Sequence, residues 1–222
     1  MCGRYSLTKP IKTLKEHFQA IVVALEHDKR YNIAPSQSVP VVLAGKEGRE
    51  IHTLKWGLIP SWAKDPAMGN RLINARAETI EEKPSFRSSF RKRRCLVPAD
   101  GFYEWQVRGK EKFPQYIRMR TDGLFAFAGL WSEWDSGREI LRTFTIITTA
   151  ANRELESIHH RMPVILPPEQ YGDWLASETG PDRLKQMLNP LENGLLDHYE
   201  ISKTVNSPKN DSEECIRPVS GD

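Results

Sequence analysis

A cysteine stands directly behind the initiating methionine, in MCGRY. A small second residue permits removal of Met1, and the mature chain would then begin at Cys2. It would carry an α-amine and a thiol on adjacent carbons, with ordinary pKa values of about 7.7–8.0 and 8.5, so both are partly available near neutrality. Both nucleophiles can add to one aldehyde, first as an imine and then as a five-membered thiazolidine. An internal cysteine cannot do this. The bland alternative is an incidental residue in a loose terminus.

Other residues offer the helpers such chemistry needs. Loss of water from the carbinolamine requires an acid, and ring closure requires a thiolate. In LINAR at 72–76, Asn74 and Arg76 share a face if the segment is extended, an amide and a guanidinium that can orient a sugar or carbonyl oxygen and a phosphate. DGFYEW at 100–105 begins as an Asp-Gly turn and runs into a strand where Glu104 lies between Tyr103 and Trp105. Desolvation there would raise the carboxyl toward a useful acid/base range, whereas a water-facing Glu104 would do nothing. His159 and His160 precede Arg161 at the expected end of a helix, where a histidine either shuttles protons or serves structure.

These groups need elements to hold them. Ile11, Leu14, Phe18, Ile21, Val22 and Leu25 recur at helical spacing, with Thr8 and Pro10 suited to the first turn. Residues 39–44, 102–107, 113–119, 125–131 and 143–149 read as strands, and RGKEK as a hairpin connection between the second and third. Helical patterns return at 151–158, 168–177 and 181–188, the first ending before Pro163. Strands grouped centrally with helices around them predict an α+β fold. It would be one domain over residues 1–222 with a largely antiparallel, curled or barrel-like sheet, and a tail that frays after about 216.

Composition narrows the classes. Hydrophobic residues make up 39% and charged residues 27%, enough for a sizeable core. The longest apolar run, Ala20 to Leu25, is six residues against the ~20 of a membrane span, and the opening segment lacks a secretory h-region. An intracellular, cytoplasmic protein is expected, acting as a monomer away from membranes. Cys2, Cys95 and Cys215 are odd in number and widely spaced, and no H-x-x-x-H occurs, so neither a metal site nor a cofactor is expected. A net charge of +3 is too mild to prove a polyanion partner, but RSSFRKRR at 87–94 holds five cations, either a solvated helix face or a phosphate-binding edge. Trp56 and Trp62 in KWGLIPSWAKDP read as core tryptophans, or as platforms for nucleic-acid bases.

MCGRY, RYNIAPSQ at 30–37, KWGLIPSW at 55–62, LINARAET at 72–79, PADGFYEW at 98–105, IHHRMPVIL at 158–166 and VNSPKNDSEEC at 205–215 follow one another over nearly the whole chain. Together they resemble the SOS-response-associated peptidase (SRAP) family of abasic-site shielding proteins. The resemblance implies that the substrate is an abasic site in single-stranded DNA, whose ring-opened sugar presents an aldehyde. It implies that Cys2 forms a thiazolidine DNA–protein crosslink, that Asn74 positions it and the sugar, and that Glu104 assists ring opening and proton transfer. His159 would handle protons in the imine step and in reversal. Arg4, Arg76 and Arg161 would hold phosphates, with Pro35, Trp62 and Thr148 along the DNA path. Ala63 follows Trp62 where some members have a second tryptophan, which implies a smaller stacking wedge. A stalled imine would give lyase activity, and Cys2 with His159 a self-processing peptidase. The rival readings are an N-terminal-nucleophile amidotransferase, whose chains can also begin Cys-Gly, and a DNA-binding module with no covalent step.

Overall fold

The structure, a computed structural model, describes residues 2–23 and 27–219. Its strands are β1 (Tyr5–Leu7), β2 (Ala20–Val22), β3 (Arg30–Ile33), β4 (Ser38–Ala44), β5 (Arg49–Trp56), β6 (Asn74–Arg76), β7 (Arg94–Ala99), β8 (Gly101–Arg108), β9 (Glu111–Met119), β10 (Phe125–Asp135), β11 (Ile140–Ala150), β12 (Arg161–Pro163), β13 (Ile165–Leu166) and β14 (Leu196–Glu200). Its α-helices are short: α1 (Ile11–Phe18), α2 (Arg87–Lys92), α3 (Tyr171–Leu175) and α4 (Pro181–Gln186).

Two sheets form. One runs β14-β9-β8-β1-β3, and the other β12-β11-β10-β7-β4-β5-β2 with β6 and β13 attached. In the second, β11 also pairs in parallel with β5, Thr143 opposite Lys55 and Phe144 opposite Trp56. That pairing closes β11, β10, β7, β4 and β5 on themselves, and closure leaves those five strands no free edge. The expected α+β fold with a curled, largely antiparallel core is what forms. Trp56, Phe127 and Phe144 fill the barrel, and Trp56 lies nearly parallel to Phe144 with centroids 6.2 Å apart.

All five expected strands are present, β10 and β11 longer than read. The hairpin joins Arg108 to Glu111 across two residues, with Gly109 at φ 63° supplying the positive φ such turns need. Three expectations need correcting. The first helix stops at Phe18. Gln19 turns left-handed at φ 49°, and Ala20–Val22 joins the sheet parallel to β5. The β-branched Ile21-Val22 pair suits a strand better than a helix, and Ile21 is 59% exposed, so it extends no buried helical face. Leu25 lies outside the described residues. Residues 151–158 are a chain of turns whose Leu155 and Ile158 point inward, and that inward pair is the periodicity mistaken for a helix. Asn152 holds these turns, its Oδ1 accepting from the Leu155 N–H and its Nδ2 donating to the Leu191 carbonyl at 3.1 Å. Pro163 therefore ends no helix and lies in the edge strand β12.

The expected Asp-Gly turn into a strand reduces to one residue. Asp100 is a single bend between β7 and β8, and Gly101 already pairs with Ser6. A Cβ at Gly101 would lie 2.2 Å from the Tyr116 ring, so the absence of a side chain is what matters there. Of the segment where a fraying tail was expected, Pro218 bridges Ile201 and the Val219 N–H donates to the Glu200 carbonyl; residues 220–222 lie outside the described residues. Among the described residues no helix is long and apolar enough to cross a membrane.

Candidate active site around Cys2

Strand β1 fixes the nucleophile candidate. Tyr5 pairs with Phe102 on β8, and the Tyr103 N–H donates to the Arg4 carbonyl at 3.1 Å, extending that register toward Cys2. The Cys2 side chain is fully buried. From the other side β6 lies parallel to β11, and the Asn74 Nδ2 donates to the Cys2 carbonyl at 2.9 Å. The Asn74 Oδ1 is buried without a hydrogen-bond partner among the described residues. An aimed, unsatisfied acceptor of this kind is uncommon in a folded protein and suits a ligand donor.

Electrostatics ties Cys2 to Glu104. Burial first, and then the Glu104 carboxylate, push the Cys2 thiol well above its ordinary value. The thiol is therefore protonated near neutrality, contrary to the partial availability expected from an ordinary cysteine. Glu104 is buried on β8, and burial raises its carboxyl too. This is the desolvated carboxylate anticipated between Tyr103 and Trp105, not a water-facing one. A thiol that must lose a proton beside a carboxyl able to take one is a workable acid/base pair.

His159 stands at the end of the turn chain, half-buried. Gln106, on the same face of β8 as Glu104, holds that chain through Nε2 to the Ser157 carbonyl at 3.1 Å. The His159 Nδ1 accepts the Arg161 N–H at 2.9 Å. The same Nδ1 lies 3.2 Å from the Arg161 carbonyl, so a neutral ring accepts from the one group or donates to the other according to its tautomer. Burial lowers the His159 pKa, which favours that neutral form. His160 stacks on it at 4.4 Å and is exposed.

The residues expected to meet DNA fall in three places. Thr148 on β11 pairs with Arg76 on β6 and Pro163 on β12, and it accepts from the Arg161 guanidinium at its carbonyl, 2.6 Å. Arg76, Thr148 and Arg161 thus lie side by side beyond Asn74. Pro35 and Trp62 flank the turn Pro66–Arg71: Ser36 Oγ, next to Pro35, donates to Asn70 Oδ1 at 3.3 Å, and Trp62 lies beside Met68 and Arg71. Gly57 and Gly69 make this possible, since a Cβ on either would lie within 2.7 Å of the other's carbonyl oxygen. Arg4 stands apart. Its guanidinium donates to Asn32 Oδ1 at 2.8 Å and to the Val205 and Asn206 carbonyls at 2.7 and 3.1 Å.

Relatives bear on this arrangement. A family model described as SOS response associated peptidase (SRAP) matches residues 1–208. The chain belongs to the SRAP family. It is similar to the abasic site processing protein YoqW of Bacillus subtilis, 43% identical over 221 residues, covering 97% of this chain and 99% of that one. The abasic site processing protein HMCES of Gallus gallus is 36% identical over 223 residues, covering 85% and 66% of the two chains. A crystal structure of a protein from Bacteroides thetaiotaomicron superposes with a TM-score of 0.88 at 30% identity, over 99% of this chain and 100% of that one.

Several SRAP motif residues without an assigned role prove to be scaffolding. Asn32 is fully buried and donates from Nδ2 to the Val205, Ser207 and Asn210 carbonyls at 3.1, 3.0 and 2.7 Å. Asp211 accepts from the Tyr31 and Asn32 N–H groups and from Arg30 Nε. RYNIAPSQ and VNSPKNDSEEC are therefore two halves of one clasp. Polar residues clustered in two distant motifs were the available signal, but nothing in the chain said that they met. The basic run divides: Arg87, Arg91 and Lys92 are exposed, while Arg94 is buried and donates to the Phe90, Arg91, Trp174 and Ala176 carbonyls. Trp56 is core, and Trp62 is 56% exposed beside Lys64, Met68 and Arg71. Among the described residues no cluster of histidine, cysteine and acidic side chains could hold a metal.

Proposed function

We propose that this protein processes abasic sites in single-stranded DNA by capturing the ring-opened sugar aldehyde on the amine and thiol of Cys2, after removal of Met1. Met1 lies outside the described residues. The observation that carries the reading is the convergence of a buried Cys2, the Asn74 amide and the desolvated Glu104 carboxyl. Names borne by relatives such as YoqW agree with it. The α-amine adds to the aldehyde carbon, and the carbinolamine loses one water to give the imine. The thiol then adds to the same carbon while its proton passes to nitrogen through Glu104, closing a thiazolidine; the net loss is one water. His159 handles the protons of the imine step, its imidazolium form donating for water loss. Arg76, Arg161, Arg4, Thr148, Pro35 and Trp62 carry the strand. Trapping the aldehyde prevents elimination of the 3′ phosphate, so the outcome is protection of the strand.

The test is a denaturing gel of the mature protein with a single-stranded oligonucleotide holding one abasic site. A band at the summed mass is expected, and it should be absent from Cys2→Ala and from protein with a blocked amine. Cys2→Ala keeps an α-amine, so borohydride should still trap its imine. A stable band from either variant without borohydride overturns the N-terminal mechanism.

A further inference from the structure

Arg161 already holds an anion. Its side chain is 11% exposed, and Glu78 covers it from a side chain that is 51% exposed. The two Nη groups face the two carboxylate oxygens, Nη2 to Oε2 at 3.0 Å and Nη1 to Oε1 in a shorter contact, while Nη2 also reaches the Thr148 carbonyl at 2.6 Å. This side-by-side fork is the geometry in which a guanidinium takes a phosphate. The Arg161 Nε is buried with no hydrogen-bond partner among the described residues. Glu78 belongs to the single turn Ala77–Thr79 directly behind β6, two residues from Arg76 and four from Asn74. A hollow beside it, lined by Ala77, Glu81, Thr149 and Lys185, gives the carboxylate room to turn away.

We propose that Glu78 is a built-in substitute for a DNA phosphate, a specificity-setting residue that fills the anion seat of Arg161 until a strand displaces it. The inference rests on the reading of Arg161 as a phosphate contact. A phosphate arriving at Arg161 replaces one ion pair with another and leaves a carboxylate beside it, so the gain from the contact is discounted. The freed carboxylate also takes up a counterion as the strand sheds one, which flattens the salt dependence. Weak engagement of intact strands follows, and it keeps the protein from sequestering DNA that has no aldehyde to capture.

The experiment measures binding of a labelled single-stranded oligonucleotide without abasic sites by fluorescence anisotropy across a salt series. Wild type is compared with Glu78→Gln, Arg161→Ala, the double variant and Glu81→Gln, whose carboxylate pairs with Lys185 at 2.9 Å nearby. Glu78→Gln is expected to bind about 3- to 10-fold tighter near 0.1 M salt, with a log–log slope steeper by up to about 0.7. Glu81→Gln should move less, and the gain should vanish when Arg161 is alanine. Unchanged or weaker binding by Glu78→Gln, an equal gain in Glu81→Gln, or a gain that persists without Arg161 overturns the inference. If Arg161→Ala binds as wild type does, the phosphate reading of Arg161 and the inference fall together. Wild-type crosslinking to an abasic oligonucleotide judges the wider proposal independently.

Discussion

Cys2 and Glu104 are each pushed toward the protonated form by burial, and the Glu104 carboxylate raises the thiol further. The thiol consequently needs a proton acceptor at the moment of attack. Glu104→Gln keeps the shape and removes the acceptor. It should slow single-turnover crosslinking by about 10²-fold while leaving affinity for intact single strands within twofold. The wild-type rate should also rise with pH through the raised Glu104 range, and that limb should be missing in the variant. Asn74 separates function from stability in another way. Its buried Oδ1 has no partner among the described residues, so Asn74→Ala removes one hydrogen bond and one unsatisfied acceptor together. Urea unfolding should shift by no more than about 1 kcal/mol, whereas crosslinking should fall at least tenfold. A stability loss matching the activity loss would make Asn74 a scaffold residue.

Strand β1 is only three residues long, yet it sets where Cys2 lies. Three residues make few ladder bonds, and the deficit is met by Asp100. Its carboxylate accepts from Ser6 Oγ at 2.6 Å and from the Thr8 N–H and Oγ1 at 2.5 and 2.7 Å, and Ser6 also meets the Tyr116 hydroxyl. Asp100→Ala removes three hydrogen bonds that tie β1 to β8, leaves the part-buried Thr8 donors without their acceptor, and should cost about 2 kcal/mol in urea unfolding, with crosslinking lost in proportion at intermediate urea. Legibility followed the same division between local and distant. Long alternating segments such as 125–131 and 143–149 declared themselves because both faces of a strand are written in its own residues. The Asn74-x-Arg76 pair and Glu104 were legible only as alternatives, an extended segment or not and a desolvated carboxyl or a water-facing one, because burial is decided by partners elsewhere in the chain. Strands β1, β2, β3 and β12 did not declare themselves, since three or four residues carry too little periodicity and are held by partners far away in the chain. For the same reason the turn chain before His159 passed for a helix, and Glu78 passed for a motif residue without a task.

Over the whole molecule, burial lowers the pKa of His17, His27 and His159. The unfolded chain therefore binds protons first as pH falls, and stability contributed by keeping these rings neutral is lost progressively below the ordinary histidine value of about 6.5. Urea midpoints should fall from pH 7.5 to 5.5, and His27→Gln should flatten the decline. Glu104 works in the opposite sense, because its raised carboxyl gains its proton earlier in the folded form; Glu104→Gln should steepen the acid loss. The contact between Arg4 and the 205–206 carbonyls has a temporal meaning as well. Closing a loop of some two hundred residues is slow and entropically costly, so it ranks among the last events of folding. Until residue 211 has been synthesised, Asn32 and Arg4 lack their clasp, and the segment carrying Cys2 is held by the β1–β8 pairing and Asp100 without it. The protein's own far end thus arrives last to complete the frame around Cys2.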